Sequence, residues 1–231
     1  RRQVSYIPPK DQGKPPSIRE ELRAAAKSGA NAVLWVRFAE ACARKRPWIK
    51  AEVLDHLEAG QKVCVLTATR KDVEYLAKAF EKKVERFGAT MWWGHGGHPP
   101  DDRSLMAETY GRHPGPCVLV GTLDAFGESI DGLQSTDLAV FGMLPWTPKK
   151  LEQAMGRFAG RRGQDRPVLF LFPIAEGTVD EHVVDILGKK FDSIGETVAQ
   201  LGVQNEAGET AEDLYGQMTE DELAETLLSR Y

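Results

Sequence analysis

From residue 62 onward the chain alternates short apolar runs with longer amphipathic segments, and this alternation limits the fold more than any other feature. KVCVLTA (62–68) is a continuous apolar run, as expected of a strand buried on both faces. A helical segment over 71–87 comes next, then a strand candidate at TMWW and a GHGGHPP loop. A helix over 101–112, the strand CVLVGT, a loop with a short helical piece and the strand DLAVFGM come after these. The series closes with a helix over 148–160, the strand VLFLFPI and a helix over 178–201. Strands separated by helices predict an α/β fold of three layers, with a mainly parallel sheet between two layers of helices. In open sheets of this kind ligands bind at the loops beyond the carboxyl ends of the strands.

The first 60 residues read as a helical N-terminal lead-in. VSYI is a short strand and PPKDQGKPP an extended connection. Ser17 and Glu20 form a capping box for a helix that ends near Lys27 at Gly29. Asn31 can cap a second helix, and Pro47 is expected to break it and start a third that Gly60 closes. The expected division is a lead-in over 1–60, an α/β lobe over 61–202 and a short acidic tail over 203–231, where Thr219 and Glu222 can cap a final helix.

A length of 231 residues is enough to bury a core without disulfides or a structural metal. Cys42, Cys64 and Cys117 lie far apart, two of them in apolar runs, which suits buried free thiols and a reducing, cytoplasmic setting. No apolar run approaches a membrane span and the start lacks a signal-peptide pattern. The first residue is not Met, as expected of an excerpt from something longer. The formal net charge of −4 hides an asymmetry: residues 1–50 carry +8 and residues 196–231 carry −8. A basic body with an acidic appendage fits a polyanion partner, and equally two solvated surfaces.

The strand ends share a chemistry. KVCVLTA leads into Thr69 and Arg70, TMWW into Gly94-His95-Gly96-Gly97-His98, CVLVGT ends on Thr122, and DLAVFGM leads into LPWTP with Trp146. Hydroxyls, glycine N–H groups and helix N-termini are the groups that hold phosphates. A metal reading of His-Gly-Gly-His is poorer, because no further ligand set stands beside it. In the next helix Gln153, Arg157 and Arg161 recur every four residues, a stripe of planar donors, while Leu151, Met155 and Phe158 face the sheet.

These stretches resemble the second RecA-like lobe of superfamily 2 helicases, most closely the Swi/Snf-like translocases. KVCVLTATRKDVEYLAKAF looks like their motif IV strand and helix. VLVGTLDAFGESIDGLQSTDLAVFGMLPWTP looks like motif V and its sequel. EQAMGRFAGRRGQDRPVLFLFPIAEGTVDEHV looks like motif VI with the strand and helix start after it. Two departures stand out. Three residues separate Arg157 from Arg161, where the family places two between its arginines, and Arg162 rivals Arg161. Motif V offers Phe-Gly-Glu-Ser-Ile-Asp-Gly-Leu in place of a Gly-Gly-x-Gly run.

The resemblance implies a RecA-like lobe that works with a separate N-terminal lobe, in the same or another chain, which holds most of the ATP and Mg²⁺. Gln153, Arg157 and Arg161 would then be the catalytic set, the arginines reaching the γ-phosphate across the cleft. Gly127, Glu128 and Asp131 would lie on the nucleotide side. Thr67, Arg70, His95, Gly96, Thr122 and Trp146 would contact the backbone of a nucleic acid, double-stranded DNA in the translocases. The implied setting is cytoplasmic, or the nucleoid of a bacterial or phage system. Neither Gly13-Lys14 nor Gly188-Lys189 has the surroundings of a phosphate loop, and Asp180-Glu181 reads as the first turn of a helix. On that reading this chain alone is inactive. Three rivals remain: a non-catalytic nucleic-acid or partner-binding module, a doubly wound nucleotide-sugar transferase, and a structural lobe whose acidic tail docks a partner.

Overall fold

The structure, a computed structural model, describes residues 2–14, 19–127, 130–145, 147–159, 167–185 and 187. Its strands are β1 (Arg2–Ile7), β2 (Lys62–Thr67), β3 (Thr90–Gly94), β4 (Cys117–Thr122), β5 (Leu138–Phe141) and β6 (Leu169–Ala175). They form one six-stranded sheet in the order β1-β6-β5-β2-β4-β3. Every pairing is parallel. The helices are α1 (Arg19–Ala26), α2 (Ala30–Glu58), α3 (Arg70–Val84), α4 (Pro100–Arg112), α5 (Leu123–Phe126) and α6 (Pro148–Gly156). Residues 179–185 are also helical.

The period of two along each strand sorts the core into two layers. Val63 and Val65 of β2 pack with Val73, Leu76 and Phe80 of α3 on one face. Cys64 and Leu66 point the other way, into a cluster with Tyr110 of α4, Phe126 of α5 and Leu151 of α6. Both faces of β2 are therefore apolar, which is why its sequence shows no alternation. The three thiols are buried, and burial pushes Cys42 and Cys117 up to about 12 and Cys64 higher still.

The expected break at Pro47 does not occur. One helix of 29 residues, α2, runs through it, and it begins after Gly29 rather than at an Asn31 cap. Proline removes one helical hydrogen bond and crowds the carbonyl four residues back, here that of Ala43. Gly13 makes room: a Cβ there would stand 3.1 Å from the Pro47 ring and 3.2 Å from the Ala43 oxygen. Its N–H donates to the Arg44 carbonyl at 2.8 Å, supplying a donor at the disturbed turn. Around this point α2 changes layers. Leu34, Phe38 and Cys42 belong to one core cluster; Ile49, Val53 and Leu57 belong to the other. Between them stand Lys45 and Arg46, which pair with Asp180 and Asp72 in the segments after β6 and β2.

VSYI is longer than expected and pairs with β6 along its whole length, from Arg2↔Phe170 to Ile7↔Ala175. The helix expected over 148–160 ends at Gly156, with Arg157 as its C-cap in αR conformation. The expected cap Ser17, most of the final helix and the acidic tail lie outside the described residues. No described helix is long and apolar enough to cross a membrane.

Candidate nucleic-acid and nucleotide interface

The carboxyl ends of β2, β3 and β4 open into a cavity of about 220 Å³ lined by Ala68, Arg70, Gly96, Arg103, Thr122, Asp124 and Ala125. Three of the residues expected at a nucleic-acid face, Arg70, Gly96 and Thr122, thus meet in one place. The volume is below the roughly 300–1,000 Å³ of sites for drug-sized ligands. It suits one phosphate group of a longer molecule better than a whole nucleotide.

The walls are held by local chemistry. Thr69 caps α3: its hydroxyl accepts the Asp72 N–H at 3.2 Å and donates to the Asp72 carboxylate at 2.6 Å. Thr67 is 1% exposed, and its hydroxyl donates to the Thr69 carbonyl at 3.4 Å, so it shapes the turn and faces inward. Between β4 and α5, Gly121 lets Phe126 fold back over the strand; a Cβ there would stand 2.3 Å from the Phe126 ring.

His95 and His98 form a packed pair, their ring centroids 4.4 Å apart. His95 Nδ1 accepts the Gly97 N–H at 3.0 Å, and His98 Nδ1 accepts the His95 N–H at 3.2 Å. Both Nδ1 atoms are acceptors, so the neutral rings carry their protons on Nε2. Burial, His98 and Arg70 lower the His95 pKa, and Glu74, with a carboxylate oxygen 3.6 Å from Nε2, opposes them. Trp93 packs edge-on against His98 at 5.3 Å, and Trp92 packs on Tyr110 and His113, a loop-packing use of both indoles. Among the described residues no group of three His, Cys, Asp or Glu side chains is placed to hold a metal ion.

Sequence reasoning missed Arg103. Its Nη1 donates to the Ala125 carbonyl at 3.0 Å, while Nε is buried with no hydrogen-bond partner among the described residues. One signal could have found it: Arg103 stands in the first turn of α4, where the helix dipole disfavours a cation, so another contact had to hold it. Asp124, the acidic wall, is offset by Lys150 of α6 at 2.7 Å.

On the other side of α5, Gly127 sits against α6. A Cβ there would be 2.5 Å from the Leu123 carbonyl and 3.5 Å from the Ala154 Cβ. Gln153 is exposed on the last turn of α6, and Arg157 is the C-cap, half-buried. Arg157 has no side-chain hydrogen bond or ion pair among the described residues. A cation is favoured at that helix end. Behind it Phe158 is fully buried against Phe141 and Phe170, and Leu151 and Met155 are buried as their spacing predicts. Asp131 is exposed. Glu128, Trp146, Arg161 and Arg162 lie outside the described residues.

Beneath these loops runs a polar spine on α2 that no motif announced. Lys45 Nζ lies 2.7 Å from Asp180, and both side chains are almost fully buried. Burial alone would lower the Lys45 pKa; the Asp180 carboxylate outweighs it, and the pKa is raised. Asp180 also accepts the Ala175 N–H at 3.0 Å, so the first-turn acid expected of this helix is a structural anchor. Cys42 donates to the Gly142 carbonyl at 3.4 Å, and Arg46 holds Asp72. The loops after β2, β5 and β6 therefore share one support.

Comparison with known proteins gives this edge a context. The family described as the helicase conserved C-terminal domain matches residues 45–163. A Bos taurus protein, SWI/SNF-related matrix-associated actin-dependent regulator of chromatin subfamily A-like protein 1, is 33% identical over 162 residues, 69% of this chain and 16% of that protein. An uncharacterized ATP-dependent helicase of Bacillus subtilis (strain 168), YqhH, is 34% identical over 113 residues, 46% of this chain and 20% of that one. This chain thus spans a fifth or less of each of these two relatives. Among solved structures, the C-terminal part of the Fun30 ATPase domain matches with a TM-score of 0.57 at 13% identity, covering 83% of this chain and 55% of that one. That last likeness concerns the fold.

Proposed function

The chain belongs to the helicase C-terminal domain family, as a lobe of the Swi/Snf-like type, and on that ground we propose that it is the C-terminal motor lobe of a nucleic-acid-dependent ATPase. In this reading ATP and Mg²⁺ are bound chiefly by a separate N-terminal lobe. Arg157, with Gln153 beside it and Arg161 or Arg162 beyond it, faces the γ-phosphate when the two lobes close. Charge spreads over the phosphoryl oxygens in the transition state, and a guanidinium held in place stabilises it there. The observation that carries the reading is the state of Arg157: it ends a helix beyond the strand ends, with no side-chain partner among the described residues.

The cavity at Arg70, Gly96, Arg103 and Thr122 receives a backbone phosphate of the nucleic acid, with His95 packing the loop that supplies Gly96. Guanidinium and backbone N–H groups grip phosphates without reading sequence. The track we propose is double-stranded DNA, along which opening and closing of the cleft moves the lobe. Gly127 and Asp131, with Glu128, border the nucleotide side. Substitution of Arg157 by Ala in the complete two-lobed protein tests the assignment. Nucleic-acid-stimulated ATP hydrolysis should collapse while nucleic-acid affinity stays close to that of the unsubstituted protein. Near-normal turnover would sink it.

A further inference from the structure

We infer that Arg46 is a positioning residue for the nucleic-acid face: through Asp72 it fixes the start of α3 and thereby aims Arg70 at the cavity beyond β2. The inference rests on the nucleic-acid reading of that edge and names a device within it. Arg46 Nε and Nη2 donate to one Asp72 oxygen at 3.0 and 2.6 Å. The other oxygen accepts the Thr69 hydroxyl at 2.6 Å. That hydroxyl in turn accepts the Asp72 N–H at 3.2 Å and caps α3. Arg70, the next residue, lines the cavity.

The arrangement departs from an ordinary capping box. There the acid three residues into the helix reaches back to the backbone N–H of the cap residue. Here Asp72 is claimed by the cap's hydroxyl and by a side chain 26 residues earlier, on a different helix. The Asp72 side chain is 1% exposed, so its charge has little water to answer it and depends on Arg46. Arg46 is itself held, its guanidinium 4.2 Å over the centre of the Tyr75 ring. A planar fork that both bonds and stacks has little freedom. The chain of constraint therefore runs Tyr75, Arg46, Asp72, Thr69, Arg70. Arg46 touches no residue that lines the cavity through any of these contacts, so its influence on a bound phosphate passes through Asp72.

The complete two-lobed protein, a short mixed-sequence DNA duplex and a salt series test this. Arg70→Ala should weaken binding several-fold and reduce the slope of log affinity against log salt by about one phosphate contact. Arg46→Ala should weaken binding by a similar factor. In ATPase assays it should raise the half-saturating DNA concentration more than it lowers the maximal rate. The double variant should bind no more weakly than Arg70→Ala alone. Asp72→Asn gives the sharpest result, because it conserves shape and adds one positive unit of net charge. Charge alone predicts tighter DNA binding, whereas loss of positioning predicts weaker binding. Tighter or unchanged binding by Asp72→Asn, or additive losses in the double variant, would overturn the inference. If Arg70→Ala itself changes nothing, the nucleic-acid reading of the edge fails as well, a distinct outcome. Should Arg46→Ala not fold, the near-isosteric Asp72→Asn carries the test.

Discussion

Arg70 and Arg157 both stand just beyond the strand ends, yet among the described residues one is enclosed by polar contacts and the other is not. Around Arg70 the cap at Thr69, the Arg46–Asp72 pair, the His95–His98 loop and the Arg103–Ala125 bond close on one another within this chain. Arg157 ends a helix of nine residues, and its side chain meets no polar partner among the described residues. On the proposed function, the difference separates two kinds of phosphate site. The edge at Arg70 is preorganised and should grip a polyanion with little adjustment. On the same proposal, the edge at Arg157 becomes a site when another surface brings a phosphate to it.

The largest expected effect strikes the second edge. Arg157→Ala should lower nucleic-acid-stimulated ATP hydrolysis by about 10³–10⁵-fold, the range of an arginine finger. A fall of less than about tenfold, in steady-state assays, would erase the contrast. Next comes the support shared by the loops. Lys45→Met leaves Asp180 buried and unpaired, and should cost about 3–5 kcal/mol of stability in chemical unfolding. Adding Asp180→Leu should recover only part of that loss: it removes the unpaired charge but leaves the buried Ala175 N–H without its acceptor, which costs about 1–3 kcal/mol. A smaller loss, about 1–3 kcal/mol, is expected for Gly121→Ala, whose methyl group would overlap Phe126 and push on the β4–α5 turn.

The smallest effect concerns pH. The folded pKa of His95 lies below its ordinary 6.5. As pH falls, the unfolded chain binds this proton first, so the contribution of His95 to stability is complete above 6.5 and declines as pH drops through the folded value. His95→Gln should flatten that part of the stability profile. An unchanged profile would mean that the loop at the Arg70 edge is looser than its hydrogen bonds suggest.

The elements were legible where one local rule dominated. β2 and β4 carry unbroken apolar runs, and Leu151 and Met155 of α6 fell on the core face because helical spacing put them there. Pro47 misled because tertiary packing carries α2 through it, and Gly13, a residue 34 positions away, packs against its ring where a side chain would crowd. Lys45 and Asp180 lie 135 positions apart, and neither has a local reason to be buried. Only the strand order, which places β5 between β2 and β6, lets α2 reach all three loops. The cavity was half legible: Arg70, Gly96 and Thr122 could be named from strand ends, whereas Arg103 enters from a helix. Nothing near Asp72 in the sequence points to its role, because its partner is on another helix.

The pairing of β1 with β6 fixes an order of events during synthesis. Residues 2–7 are made well before their partner strand, which ends at Ala175. Until then Ile7, 1% exposed in the finished fold, has no sheet to join. Contacts this distant in sequence close late and slowly. Within this sheet the strand made before the other five is thus seated only after β6, and until then its unpaired edge is open to whatever chain or chaperone is nearby.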